Sequence, residues 1–163
     1  MRDILKCYTS GKKVPESPNE GTVSFAVPEF GILFRCQVSG SPADLEIIAF
    51  LSMLRFVEYN KEIFQKRHLN IYCDFPLLIY LMNGGVVEAA TGLNAVREQA
   101  KKYTKGILFN VKWIDPKNNR ASGSAADIPA LPADSDLKIK AFPNLKINRS
   151  ASSSGQDLNF TDF

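Results

Sequence analysis

Asp74 stands where two apolar runs meet: Leu69 to Cys73 leads into it, and Pro76 opens a second run that closes at Asn83-Gly84-Gly85. A carboxylate there can cap the helix that Pro76 begins, because it accepts from first-turn amides and proline needs no amide donor at that position. It can equally face a ligand from the tip of a strand. Glu46, with Asp44 beside it, falls in the first turn of another apolar segment, where a helix dipole favours negative charge. Asp127 closes a loop of small residues, ASGSAAD. Ser10 follows the short run Ile4 to Thr9 but is no hydrolase nucleophile. His68 is the sole histidine and begins the run that Asp74 ends, so a serine triad cannot assemble.

Positive charge is grouped as well. Arg97, Lys101, Lys102 and Lys105 recur at three- and four-residue spacings, and Lys12, Lys13, Lys117 and Arg120 fall in segments that read as loops near the candidate acids. Such groups suit a phosphate backbone, which they position without reading its sequence. They also suit a solvated helical face, and Glu98 dilutes the first group. A net charge of +3 is compatible with a polyanionic partner and does not require one. The three cysteines, Cys7, Cys36 and Cys73, lie inside apolar runs, the pattern of buried free thiols in a reducing compartment rather than of disulfides or metal ligands.

Elements must place these groups. Ile4 to Thr9 reads as a first strand, followed by an exposed connection from Ser10 through VPESPNEG. Thr22 to Val27 and Gly31 to Val38 read as a hairpin joined across Pro28 to Gly31. From Ser41-Pro42 the spacing of Leu45, Ile48, Leu51 and Phe56 predicts a long helix. Leu69 to Cys73 is a fourth strand, Pro76 opens a second helix, Gly92 to Lys105 forms a basic helix ended by Gly106, and Ile107 to Ile114 is a fifth strand. Trp113, Met53 and Met82 read as core. After Trp113 the prolines and small residues read as loop. The folded domain is expected over residues 1–131, with 132–163 an extended or mobile tail in which Ile139, Phe142, Leu145 and Ile147 can pin a segment to the surface.

An antiparallel trio followed by β-α-β crossovers predicts an α/β fold with a mixed five-stranded sheet flanked by helices. Ligands in such sheets gather at the carboxyl ends of the parallel strands, which marks Ser10 and Asp74. No signal-type or membrane-spanning run occurs in the sequence, so a soluble, intracellular protein, cytoplasmic or nuclear, is expected, with no membrane partner.

The order of elements and the residues at their ends resemble the ribonuclease H family, in the form found in retroelements and in cellular enzymes. Tyr8-Thr9-Ser10-Gly11-Lys12-Lys13 resembles that family's Tyr-Thr-Asp-Gly-Ser-Lys. Glu46-Ile47-Ile48-Ala49-Phe50-Leu51 resembles its Glu-Leu-Leu-Ala helix. Ile71-Tyr72-Cys73-Asp74 resembles its strand ending in Asp, and Trp113-Ile114 followed by Ala126-Asp127 resembles its last strand and closing Ala-Asp. The resemblance spans residues 4 to 131.

It implies a ribonuclease H-like fold and a site in which Glu46, Asp74 and Asp127 hold Mg²⁺ or Mn²⁺ for two-metal phosphodiester hydrolysis. The departures matter too. Ser10 stands where the family has an Asp that helps hold both ions, and a neutral hydroxyl cannot supply a bridging carboxylate. The loop that often carries a His reads Pro116-Lys117-Asn118-Asn119-Arg120. The expected function is therefore a nucleic-acid-binding domain for RNA/DNA hybrid or another duplex, with an incomplete, degenerate metal site and weak or lost hydrolysis. Two alternatives stand beside it. One is an active Mg²⁺-dependent ribonuclease, and the other a catalytically dead module that binds protein through its C-terminal tail.

Overall fold

The structure is a computed structural model that describes residues 3–85, 93–124, 128 and 145–147. Asp127 lies outside the described residues, as do Gly92 and the proline-rich stretch after residue 128.

Strands β1 (Ile4–Val14), β2 (Ser17–Val27) and β3 (Ile32–Ser39) form an antiparallel meander. Helix α1 (Pro42–Tyr59) and the short α2 (Lys61–Phe64) lead into β4 (His68–Cys73), which pairs parallel to β1. Helices α3 (Pro76–Met82) and α4 (Leu93–Tyr103) then lead to β5 (Leu108–Trp113), parallel to β4. The five expected strands are joined by a sixth, β6 (Leu145–Ile147), antiparallel to β3, so the sheet runs β5-β4-β1-β2-β3-β6. That strand comes from the segment whose composition reads as a tail, and it contains Leu145 and Ile147, two of the apolar residues able to pin it.

Alternation sets the two faces of the sheet. Leu5, Cys7, Val23, Phe25, Ile32 and Phe34 are buried against Leu45, Ala49, Phe50, Met53, Leu54 and Phe56 of α1. Phe25 anchors this layer, with ring centroids 4.9 Å from Phe34 and 5.3 Å from Phe56. On the other face a smaller cluster of Tyr8, Ala26 and Leu33 is covered by Ala121 and Ile128. Arg35 from β3 ties down this cover by donating to the carbonyls of Ala121 and Gly123. Cys7, Cys36 and Cys73 are buried free thiols, and no helix among the described residues is long and apolar enough to cross a membrane.

Helix α1 starts where the sequence predicts. The Ser41 hydroxyl accepts from the Asp44 amide at 3.1 Å and the Asp44 carboxylate accepts from the Ser41 amide at 3.1 Å, a reciprocal capping box with Pro42 at the first turn. Asp44 is therefore spent on the helix end, which leaves Glu46 as the acid that faces the sheet.

Several expectations need correction. β1 does not stop at Thr9. It continues through Ser10, Gly11, Lys12 and Lys13, pairing them with Ser24, Val23, Thr22 and Gly21 of β2, so Lys12 and Lys13 belong to a strand rather than a loop. Taken alone, Ser10–Lys13 has the composition of a turn because Gly and Lys are poor strand formers, and cross-strand pairing overrides that local preference. Asp74 does not cap α3: the cap position falls on Phe75, with no side-chain hydrogen bond. Trp113 is not core either. It is 55% exposed, because β5 is an edge strand.

Candidate functional site

The site is built from the close approach of α1 to the β1–β2 hairpin. A Cβ on Gly11 would lie 2.2 Å from the Leu45 carbonyl carbon, and one on Gly21 would lie 2.1 Å from Leu45 Cδ1. Only glycine lets the first turn of the helix sit directly on the strands. The approach brings Glu46 over β1, where its Oε1 accepts from the Gly11 amide at 2.6 Å.

Asp74 comes from the neighbouring strand. β1 and β4 pair in parallel up to Tyr8 opposite Tyr72, and continuing that register two residues sets Ser10 level with Asp74. The Asp74 side chain is 0% exposed. Its Oδ1 accepts from Lys12 Nζ at 2.5 Å and its Oδ2 from Asn119 Nδ2 at 3.2 Å. Asn119 also donates to the Thr9 carbonyl at 2.9 Å and accepts from the Ala121 amide at 3.1 Å. One buried amide thus braces β1, β4 and the loop after β5.

Lys12 lies between the two acids, with Nζ 3.6 Å from Glu46 Oε1 as well as in contact with Asp74. Burial alone would lower the pKa of this ammonium, but the hydrogen bond it donates to Asp74 and the negative charge of Glu46 outweigh it and hold the value above the ordinary lysine range. Burial pushes the Glu46 carboxyl up to about 7, against the opposing pull of the Gly11 amide and Lys12. Two buried oxygens, Ser10 Oγ and Glu46 Oε2, have no hydrogen-bond partner among the described residues.

Of the expected site residues, the fold brings Ser10, Glu46 and Asp74 together, and Lys12 with them. The basic residues divide. Lys101, Lys102 and Lys105 are exposed on and just after α4, and Lys117 is exposed on the short turn after β5. Arg97 donates instead to the carbonyls of Leu81 and Gly85, tying α4 to the end of α3. The lone His68 lies at the start of β4, its ring 2.8 Å from the Asn110 amide nitrogen, at the far end of the strand from Asp74. Sequence reasoning missed the bridging place of Lys12, the brace formed by Asn119, and the need for Gly11 and Gly21. Glycines inside a strand were the one available signal, since they often mark close backbone approach.

A two-ion centre needs several carboxylates with open lone pairs around hard cations. Among the described residues no group of three or more His, Cys, Asp or Glu side chains converges in this way. The two acids that do meet already face N–H donors. The described residues therefore do not fit a pair of divalent ions.

No family model matches the sequence, and no curated protein matches it. The fold is similar to solved structures. Ribonuclease H1 from Halobacterium salinarum NRC-1 superposes with a TM-score of 0.54 at 13% identity, over 70% of this chain and 87% of that one. The N-terminal ribonuclease H domain of a Mycobacterium tuberculosis protein, determined as a fusion with maltose-binding protein, gives 0.54 at 12% identity, over 71% and 86%. LC11-RNase H1, in a structure with an RNA/DNA hybrid, gives 0.55 at 11% identity, over 71% and 88%. The chain has a ribonuclease H-like fold.

Proposed function

We propose that this chain is a ribonuclease H-like domain that engages an RNA/DNA hybrid or another nucleic-acid duplex and has weak or no phosphodiester hydrolysis. The observation that carries the reading is the meeting of Glu46, from the first turn of α1, with Asp74, at the carboxyl end of β4, and neutral Ser10 in the third position on β1. Support for the ligand class comes from LC11-RNase H1, which shares the fold and holds an RNA/DNA hybrid, and from the exposed Lys101, Lys102, Lys105 and Lys117. These lysines are the chain's candidates for contacts to phosphate. Lys13, near the end of β1, and Arg120, which lines a cavity with Lys6, Tyr8 and Glu29, are further candidates in this reading. The domain is taken as residues 1–131, with β6 added to its edge from the tail.

The test is incubation of the purified chain with labelled hybrid duplex and Mg²⁺ or Mn²⁺, beside Ser10→Asp and Asp74→Asn variants, with binding followed over a salt series. Salt-dependent binding without cleavage supports the proposal, and cleavage gained only in Ser10→Asp strengthens it. Cleavage by the native chain that disappears in Asp74→Asn identifies an active metal-dependent ribonuclease instead. Absence of both cleavage and salt-dependent binding favours a module that binds protein.

A further inference from the structure

Four carboxylate oxygens meet at the site, and three of them are committed to N–H donors. Asp74 Oδ1 accepts from Lys12 Nζ at 2.5 Å and Asp74 Oδ2 from Asn119 Nδ2 at 3.2 Å. Glu46 Oε1 accepts from the Gly11 amide at 2.6 Å and has Lys12 Nζ at 3.6 Å. Only Glu46 Oε2, buried, lacks a partner among the described residues. A divalent cation binds through lone pairs, and three of the four oxygens on these acids already face N–H donors.

Charge leads to the same place. The Glu46 and Asp74 side chains are 6% and 0% exposed, and ionised carboxylates removed from water need a paired cation. Lysine can supply one because its ammonium is compact and carries three donors at the end of a flexible stem. Lys12 does so here: its side chain is 48% exposed while its Nζ contacts a fully buried acid. It stands on β1 two residues beyond Ser10, so the strand that lacks a carboxylate brings a positive charge in its place.

We infer that Lys12 is the resident cation of this site and that the Glu46 and Asp74 pair takes no divalent metal while Lys12 is in place. An incoming ion would have to displace the ammonium from Asp74 Oδ1 or accept a like charge at contact distance, which is unfavourable. Removing the ammonium frees Asp74 Oδ1, and Glu46 Oε2 already has no partner among the described residues, while Oε1 keeps the Gly11 amide. That is a small oxygen set of the kind Mg²⁺ or Mn²⁺ completes with water. The inference rests on the geometry of the site and not on duplex binding, so either can fail alone.

The experiment is Mn²⁺ titration followed by electron paramagnetic resonance on the full chain, without nucleic acid. Five proteins are compared: native, Lys12→Met, Lys12→Arg, Asp74→Asn and Lys12→Met/Asp74→Asn. Methionine keeps much of the stem and removes the charge, and arginine keeps the charge. The expected result is a bound Mn²⁺ signal in Lys12→Met with affinity at least about tenfold above native, none in Lys12→Arg, and loss of the gained signal when Asp74→Asn is added. A folded Lys12→Met that gains no affinity overturns the inference. So does native protein that binds Mn²⁺ as tightly as Lys12→Met, or whose own bound signal is lost in the Asp74→Asn single variant. That last arm needs no Lys12 substitution and decides the matter even if Lys12→Met does not fold.

Discussion

Glu46→Gln removes one titration and little else. The amide oxygen can still accept from the Gly11 amide, as Oε1 does now at 2.6 Å, and the change in volume is negligible. In the native fold burial holds the Glu46 carboxyl up to about 7, against an ordinary 4.5. A raised acid favours its proton-bound form in the folded state. Its contribution to stability is therefore fully present below pH 4.5 and is lost as the pH climbs through 7. At about 1.4 kcal/mol per pH unit, the rise amounts to about 3 kcal/mol of native stability lost across that window. Glutamine has no such loss. The difference in unfolding free energy between Glu46→Gln and the native chain should therefore shift in the variant's favour by about 3 kcal/mol between about pH 4 and pH 8. In melting temperature this is roughly 6–12 °C for a chain of this size. Urea unfolding in a pH series on both proteins gives the gap directly from the midpoints and slopes. A gap that stays flat with pH refutes the reasoning. A gap that moves toward the native chain at high pH would show that Lys12 and the Gly11 amide stabilise the carboxylate more than burial penalises it.

Three further outcomes follow from the same geometry. Gly11→Ala forces a Cβ to within 2.2 Å of the Leu45 backbone and should cost about 3 kcal/mol or more, whereas Gly84→Ala, with φ 93° and nothing within 4 Å of the added carbon, should cost only about 1 kcal/mol; urea midpoints compare the two. Asn119→Ala strips one donor from the Thr9 carbonyl and one from Asp74 and orphans the Ala121 amide, so a loss of about 2 kcal/mol is expected, read by thermal unfolding. Replacing Lys101, Lys102 and Lys105 together by Gln should reduce the slope of log binding constant against log salt for a hybrid duplex by about 0.9 for each phosphate no longer neutralised, and fluorescence anisotropy at several salt concentrations measures it.

The sequence by itself determined the order and type of the first five strands and of the helices α1, α3 and α4. Strand periodicity, the Ser41-Pro42 start of α1, the Pro76 start of α3 and the Gly106 stop are local signals, carried by residues next to the structures they specify. The same holds for the buried cysteines and for Glu46 and Asp74 as the acids at the ends of their elements. What only the tertiary structure decided depends on partners distant along the chain. Ser10–Lys13 reads as a turn until β2 is placed beside it, and Asp74 reads as a helix cap until Lys12, 62 residues earlier, and Asn119, 45 residues later, take its two oxygens. Lysine on a strand carries no sign of where its flexible stem will end. Its ammonium meets both acids because α1 rests on Gly11 and Gly21, and that approach brings Glu46 over β1 within reach of the lysine that holds Asp74.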